Sequence, residues 1–221
     1  MRRVLLALFA LALAPHLYLL ALRVLPVPIT LNMLGAVVDE RDFRRRLVDV
    51  DAVAPVLVES VIAAEDSRFC AHNGIDWEAT QSALDEARAG GRVRGASTLT
   101  QQTAKNVFFW NGGGWVRKAG EAWFALAIDA VWGKRRVLEV YLNVAEWGDG
   151  IYGVEAASRA RFGKPAAQLT PREAALLAAV LPSPNKWRVD PPGPYVSGRA
   201  ATLQRRAADV RAQGLAACVL D

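Results

Sequence analysis

Three short segments in the first part of the chain carry the side chains best suited to chemistry. They are residues 65–76 (EDSRFCAHNGID), 95–106 (GASTLTQQTAKN) and 117–121 (RKAGE). Paired carboxylates are the usual apparatus for reaction at an anomeric carbon, and Lys and Arg are the side chains that hold phosphate oxygens. The combination predicts a site for a sugar phosphate, with Glu65 and Glu121 as its acids.

The spacing inside the second and third segments fits helices with polar groups on one face. Thr98, Gln102 and Lys105 recur at i, i+4 and i+7, and Arg117 lies one turn before Glu121. Taken singly, each segment is also typical of a solvated helix end or of a surface ion pair. Their occurrence together in one chain favours a binding cleft.

The elements that must position these segments are predicted to be mainly α-helical, with at most a small β element. Helices are expected around 40–48 and 55–64, from a cap at Asp76 to Ala89, from a cap at Ser97 to Val107, over 116–132 up to Gly133, over 135–145, and after a capping box at Thr170. Residues 111–114 (NGGG) are typical of a loop. No run shows the sustained alternation of a strand.

The N-terminus predicts a membrane anchor. Residues 4–22 are almost entirely apolar and are long enough to cross a hydrocarbon core of roughly 30 Å. Arg2 and Arg3 precede this stretch and favour a cytoplasmic N-terminus. The alternative is a cleaved signal peptide, for which residues 12–14 (ALA) have the right form. In either case we expect the body of the protein outside the cytoplasm, with an anchor over 1–25, a juxtamembrane linker over 26–54 and one domain over 55–221.

Charge and composition argue against several other classes of protein. The net charge is +5, but three arginines precede residue 26, which leaves 24 basic against 22 acidic residues. A body so close to neutral lacks the basic surface of a nucleic-acid-binding protein, so the clusters 44–46 and 135–136 are expected to be solvated or membrane-proximal. Residues 148–153 match G-x-G-x-x-G but follow a predicted helix, so no dinucleotide site is predicted. With two His and no paired motif, no protein-built zinc site is predicted, and Cys70 and Cys218 are expected to be unpaired.

The three segments resemble the motifs of the peptidoglycan glycosyltransferases. They are similar to E-D-x-x-F-x-x-H-x-G, G-x-S-T-x-x-Q-Q-x-x-K-N and R-K-x-x-E of that family, and residues 134–143 and 173–178 add further similarity. The resemblance covers roughly residues 55–210. It implies a mainly α, lysozyme-like, two-lobed domain behind an N-terminal transmembrane helix. It also implies polymerisation of lipid II through β-1,4 bonds, with inversion at the anomeric carbon and release of undecaprenyl diphosphate.

The resemblance also assigns roles to individual residues. Glu65 matches the general base, which takes the proton of the acceptor 4-hydroxyl, and an ordinary pKa would suffice for that task. Glu121 matches a second essential acid that organises the donor diphosphate. The side chains matched to substrate binding are Lys105, Arg117 and Lys118 at the diphosphate, and Thr98, Gln102, Asp66, Phe69 and His72 around the cleft. For His72, a hydrogen-bonded structural histidine is an equal alternative.

One loop departs from the family pattern. The family often has an Arg between its K-N and R-K motifs, where this chain has Gly113. One phosphate contact would then be absent. The aromatic residues around this loop are Phe108, Phe109, Trp110 and Trp115. They are expected either in the core or in a membrane-facing patch beside the cleft.

The expected location is the bacterial inner membrane, crossed once, with the catalytic domain on the periplasmic side. Expected partners are lipid II, the growing glycan strand and membrane lipid, with other cell-wall synthesis or division proteins as candidates and no nucleic acid. No cofactor is expected to be required, and a divalent cation would at most stimulate the reaction. Two rival functions are a lysozyme-like lytic enzyme on the same polymer and a non-catalytic scaffold of the cell-wall machinery.

Overall fold

A computed structural model describes residues 1–91, 95–110 and 112–221. The helices are α1 Arg2–Leu22, α2 Leu31–Val38, α3 Pro55–Glu65, α4 Trp77–Arg88, α5 Leu99–Phe108, α6 Gly114–Val144, α7 Val154–Phe162, α8 Pro171–Val180, α9 Pro194–Ala212 and α10 Ala217–Leu220. Gly133 has non-helical angles (φ 73°, ψ 166°) and kinks α6, so the break predicted at Gly133 is confirmed. The strands are β1 Arg44–Arg45, β2 Glu146–Gly148 and β3 Ile151–Tyr152. The prediction of a mainly α fold with a small β element is confirmed.

The small sheet joins the segment after α2 to the segment after α6. Its strand order is β1-β3-β2, with β1 parallel to β3 and β2 antiparallel to it. The G-x-G-x-x-G match lies in the β2–β3 hairpin and not in a strand–helix–strand unit. The helix predicted over 40–48 is wrong, because residues 44–45 pair with β3. A strand of two residues is too short to leave a sequence pattern.

Several helix ends were predictable from capping residues. The Asp76 carboxylate accepts from the Ala79 backbone at the start of α4, and Thr170 forms a capping box with Glu173 at the start of α8. The cap predicted at Ser97 is wrong, because Thr98 caps α5 in a capping box with Gln101. Thr98 has Gln three residues later and Ser97 does not, and the reciprocal bond needs that spacing.

Helix α3 is buried in the core. Leu57, Val58, Val61 and Ile62 of α3 are fully buried, and α3 packs against both α8 and α9. Since an apolar helix buried all round cannot shift without exposing its surface, α3 gives Glu65 at its C-terminal end a fixed position.

Residues 26–54, predicted as a juxtamembrane linker, pack against the rest of the chain. Met33 and Ala36 of α2 are fully buried, and Val50 and Val53 are nearly so. The same segment supplies β1. Its aliphatic side chains thus share the core that begins after residue 54.

Helix α1 has the length and composition of a membrane span. It has 21 residues and a mean hydropathy of 2.2, with 6% of its apolar window buried. Its second half contacts the domain: the Trp123 indole donates to the His16 ring at 3.2 Å, Leu19 and Leu22 are buried, and the Trp132 indole donates to the Leu19 carbonyl at 2.9 Å.

A disulfide joins Cys70 to Cys218, so the prediction of two unpaired cysteines is wrong. The two Cα atoms are 5.6 Å apart although 148 residues separate them in sequence. Helix α10 packs against α6, and the Arg135 guanidinium donates to the Val219 carbonyl. This packing brings Cys218 to the 3₁₀ turn Phe69–Ala71, so sequence separation was a poor guide to pairing.

Candidate active site

Glu65 is held by a chain of two hydrogen bonds. The Gln102 amide donates to the Glu65 carboxylate at 2.9 Å, and the oxygen of the same amide accepts from the Tyr141 hydroxyl at 3.4 Å. Tyr141 is 2% exposed, so it fixes the amide from the core side. The second carboxylate oxygen of Glu65 is left for a reacting group.

The surroundings of Glu65 make it a stronger base than an exposed carboxylate. Burial raises the pKa of Glu65, against the lowering effects of the Gln102 hydrogen bond and of the Arg199 and Lys105 charges. An ordinary pKa would suffice for a general base, and burial places this one above it. A carboxyl group with a raised pKa binds a proton more readily, which suits a general base as long as it is ionised at the working pH.

Lys105 interacts electrostatically with both the acid and the cationic segment. Burial lowers the pKa of Lys105, the Arg117 charge lowers it further, and the Glu65 charge raises it. An ammonium group that interacts with both charges is suited to meet a negatively charged ligand.

Glu121 is buried between two cations. It is 2% exposed, one of its oxygens pairs with the Arg117 guanidinium, and the other lies 3.3 Å from the Lys118 ammonium. Both oxygens are therefore engaged. The geometry makes Glu121 the group that orients two cations, with Arg117 also donating to the Gly112 carbonyl.

Asp66 connects the first motif (residues 65–76) to the second (residues 95–106) by hydrogen bonds. Its carboxylate accepts from the His72 ring at 3.0 Å and from the Leu99 backbone at the start of α5 at 2.9 Å. The Leu99 N–H is one of the donors that a helix N-terminus leaves without an intrahelical partner. Asp66 and His72 are buried, which favours the structural alternative for His72.

Thr98 and Gly74 form a second contact between the same two motifs. The Thr98 hydroxyl donates to the Gly74 carbonyl at 2.6 Å. Gly74 has φ of 84°, and a Cβ there would lie 2.6 Å from the Ala125 carbonyl oxygen of α6. A residue without a side chain thus lets the first motif contact α6 directly while Thr98 joins it to α5.

Phe69 belongs to the core and not to a cleft wall. It is fully buried, and the Lys134 ammonium lies 4.7 Å from its ring centroid. Of the predicted site residues, the structure therefore groups Glu65, Gln102 and Lys105 with the cationic segment. Asp66, Phe69, His72 and Thr98 are buried, and Asp66 and Thr98 also line a cavity beside Glu65.

A polar cavity of about 240 Å³ opens beside the base. Glu65, Ser67, Ser97 and Arg206 line it, and the Ser97 hydroxyl accepts from the Lys118 ammonium at 3.1 Å. The cavity thus extends from the base to the hydrogen-bond partner of a predicted phosphate-binding cation.

Sequence reasoning gave no role in the site to Tyr141, Arg199, Ser97 or Arg206, although it predicted Ser97 as a helix cap. Tyr141 lies within residues 134–143, and the similarity of that segment to the family was the signal that could have pointed to it. Arg199 and Arg206 lie on α9. The spacing of the arginines on this helix does not distinguish these two from the others. Only the packing of α9 beside α3 brings them to Glu65.

The loop before α6 gives a reason for the departure at Gly113. Gly113 has φ of 81° and is the N-cap of α6. A Cβ there would approach the Arg117 Cβ to 3.0 Å, so an Arg at this position would require a different backbone. Asn111 of the same predicted loop lies outside the described residues.

The aromatic residues around this loop divide into two groups. Phe108 stacks on Phe124 with centroids 4.4 Å apart, and Phe109 meets the same ring edge-on. Trp110 is 54% exposed and Trp115 is 88% exposed. The first pair is packed, and the second pair presents indole rings outward.

The donor set does not fit a resident metal ion. Within the described ranges, no three His, Cys, Asp or Glu side chains converge on a point. Both oxygens of the Glu121 carboxylate already contact cations.

Comparison with known proteins identifies the family of the chain. The family model described as transglycosylase matches residues 32–211. Proteins named biosynthetic peptidoglycan transglycosylase are similar to the chain: one from Rhodospirillum centenum is 60% identical over 80% of this chain and 77% of its own length. One from Caulobacter vibrioides is 46% identical over 99% and 96%, and one from Xanthomonas campestris is 48% identical over 97% and 90%. The match of both the family model and full-length relatives shows that the chain belongs to the transglycosylase family of peptidoglycan glycosyltransferases, which has a lysozyme-like fold.

Proposed function

We propose that Glu65, Lys105 and Arg117 carry the reaction of this peptidoglycan glycosyltransferase, which polymerises lipid II into β-1,4-linked glycan strands. The observation that carries the assignment is the electrostatic interaction of Lys105 with both the Glu65 carboxylate and the Arg117 guanidinium. A base and a cationic cluster at adjacent positions are what a displacement of a diphosphate by a sugar hydroxyl requires.

The chemical step is one displacement. Glu65 takes the proton of the 4-hydroxyl of the acceptor N-acetylglucosamine while that oxygen forms a bond to C1 of the donor. The bond from C1 to the diphosphate oxygen breaks, and its electron pair leaves with undecaprenyl diphosphate. Attack from the face opposite the leaving group inverts the anomeric carbon.

Lys105 and Arg117 stabilise the charge that develops on the departing diphosphate. Glu121 acts on them as a positioning residue, because both of its oxygens contact cations and neither is free for substrate. Lys118 joins the same cluster and is oriented by Ser97. No cofactor is required in this scheme.

Helix α1 supports the membrane arrangement that we propose. The helix crosses the inner membrane once with its N-terminus in the cytoplasm, and the catalytic domain lies on the periplasmic side. Its apolar composition and the preceding arginines support this orientation. The domain then meets lipid II at the membrane surface, with the growing glycan strand, membrane lipid and other cell-wall proteins as further partners.

The cationic cluster distinguishes this function from that of a lytic enzyme. Cleavage of glycan by water has no diphosphate leaving group, so it gives no reason for Lys105 and Arg117 to be placed beside the base. A scaffold would need neither the hydrogen bond from Gln102 to Glu65 nor the raised pKa of that carboxyl group.

The test uses the full-length protein in detergent with labelled lipid II, and it separates products on a gel. Wild type and the matched control Glu86→Gln, which lies outside the cavity, should give a polymer ladder. Glu65→Gln should give none while retaining its fold. A ladder from Glu65→Gln would overturn the assignment of the base, and shortening of preformed glycan with untouched lipid II would indicate a lytic enzyme.

A further inference from the structure

Arg44, Arg45 and Arg46 form a cationic cavity with a fourth arginine from α7. The cavity has a volume of about 370 Å³ and is lined by these three residues, Arg159 and Phe43. None of the described residues that line it is acidic. It shares no lining residue with the cavity beside Glu65, so it is a separate feature of the surface.

The four guanidinium groups are only partly compensated. Arg44 pairs with Asp42 and Arg159 pairs with Glu155. In the part of the chain that the structure describes, neither Arg45 nor Arg46 has an acidic partner within 4 Å. Like charges that share one cavity repel one another, and a bound anion would relieve that repulsion.

Arg45 is the most constrained member of the group. Its guanidinium donates to the Val27 carbonyl, and its Nε atom is buried without a hydrogen-bond partner among the described residues. Burial lowers the pKa of Arg45. A buried donor without a partner is costly, and it could be satisfied by an acceptor that enters the cavity.

The contact with Val27 places the cavity next to the membrane. Val27 follows the end of α1 by five residues, since α1 ends at Leu22. Lipid headgroups lie at this level of a membrane protein, and basic side chains near anionic lipids are attracted to them. This position distinguishes the cavity from an arginine cluster on the far side of the domain.

We infer that the cavity lined by Arg44, Arg45, Arg46 and Arg159 binds the phosphate headgroup of an anionic phospholipid. Arginine suits this ligand because its planar group can donate two hydrogen bonds to phosphate oxygens. The inference rests on the membrane anchoring proposed above, but it does not depend on the catalytic roles. Its test uses lipid binding, and its failure is therefore distinguishable from failure of the proposed reaction.

The experiment is native mass spectrometry of the full-length protein in neutral detergent, titrated with phosphatidylglycerol or with phosphatidylcholine. Wild type should bind phosphatidylglycerol more tightly. The variant Arg45→Gln with Arg46→Gln should bind it about 30-fold more weakly. The matched control is Arg172→Gln with Arg205→Gln, which removes the same charge from exposed sites outside the cavity and should bind as wild type does.

Three results would overturn the inference: equal binding of the two lipids, wild-type binding by the double cavity variant, or an equal loss in the control variant. Displacement of the lipid by millimolar inorganic phosphate or glycerol phosphate would identify a free phosphate group as the occupant and overturn the lipid assignment. If Arg45→Gln prevents folding, the same titration is made with Arg46→Gln alone. Arg46 is exposed, so its substitution should leave the fold intact. It should weaken binding about fivefold.

Discussion

The Gln102 amide donates a hydrogen bond of 2.9 Å to the Glu65 carboxylate, and it lies between that carboxylate and the buried Tyr141. Gln102 thus has two effects on the base. It restricts the carboxylate to one orientation, and it lowers the pKa of Glu65 against the larger effect of burial. Orientation and proton affinity of the base are set by the same amide.

Replacement of Gln102 by Ala should therefore change both rate and pH dependence. A hydrogen bond to a charged group contributes about 1.5–3 kcal/mol, so kcat should fall about tenfold or more. The pKa of Glu65 should rise further, and the acid limb of the pH–rate profile should move to higher pH. Tyr141→Phe, which removes only the longer contact, should have a smaller effect. An unchanged acid limb in Gln102→Ala would contradict the role of this hydrogen bond.

Ionisation of Glu65 should lower the free energy of unfolding. Its pKa is raised in the folded state, so the folded chain holds the proton over a pH range in which the unfolded chain has lost it. Stability therefore falls as pH rises from the ordinary Glu pKa through the raised one. Glu65→Gln should be more stable than wild type at neutral pH, and the difference should vanish in acid. Thermal unfolding measured across pH checks this, and a difference independent of pH would contradict it.

Removal of the Glu121 charge should damage the donor site through its cations. In Glu121→Gln, the Arg117 and Lys118 groups lose their buried counter-charge, at a cost of about 2 kcal/mol in the free energy of unfolding. We expect the KM for lipid II to rise about tenfold, with the acid limb of the pH profile unchanged. Steady-state kinetics and thermal unfolding measure the two effects. A shifted acid limb would mean that Glu121 itself titrates in the reaction.

The disulfide should stabilise the active-site segment. Cross-links that close long loops typically contribute about 2–4 kcal/mol, so Cys70→Ser with Cys218→Ser should lower the free energy of unfolding by that amount. Wild type with reductant should resemble the double variant. The variant itself should be insensitive to reductant, and equal stability of both oxidised proteins would contradict the prediction.

The outward indole rings should contribute to membrane contact. In a domain lacking α1, Trp110→Ala with Trp115→Ala should weaken partitioning into liposomes at least tenfold, since the burial of even one large apolar side chain contributes about 1.5–3 kcal/mol. Phe109→Leu, a change at a packed ring, serves as a control for general destabilisation. Unchanged partitioning of the double Trp variant would contradict this membrane-facing role.

Sequence reasoning was most successful where chemistry and local structure coincide. The spacing of Gln102 from Lys105 and of Arg117 from Glu121 fits the helices α5 and α6 that carry them, whereas the role of Glu65 came from the family resemblance and stays a prediction. Thr98 shares the same helical spacing, yet its hydroxyl caps α5 and bonds to Gly74. Periodicity shows which side chains share a face, but it does not show whether that face meets a ligand or a neighbouring helix.

The features that escaped prediction depend on contacts between distant parts of the chain. Strand β1 exists because β3 lies beside it, 107 residues later by its register of Arg44 with Ile151. The Cys70–Cys218 pairing depends on the docking of α10 on α6. Arg199 reaches Glu65 only through the packing of α9. In each case the local sequence around a residue contains no pattern that identifies its distant partner.

The disulfide also bears on the order in which the protein matures. In the proposed topology the chain crosses the membrane from its N-terminal side, so Cys70 emerges before the 148 residues that lead to its partner. During that interval its thiol has no native partner and is open to capture by other thiols. Export of α4 to α9 must be complete before the correct bond can form, and the turn beside the base is covalently secured only at that late stage.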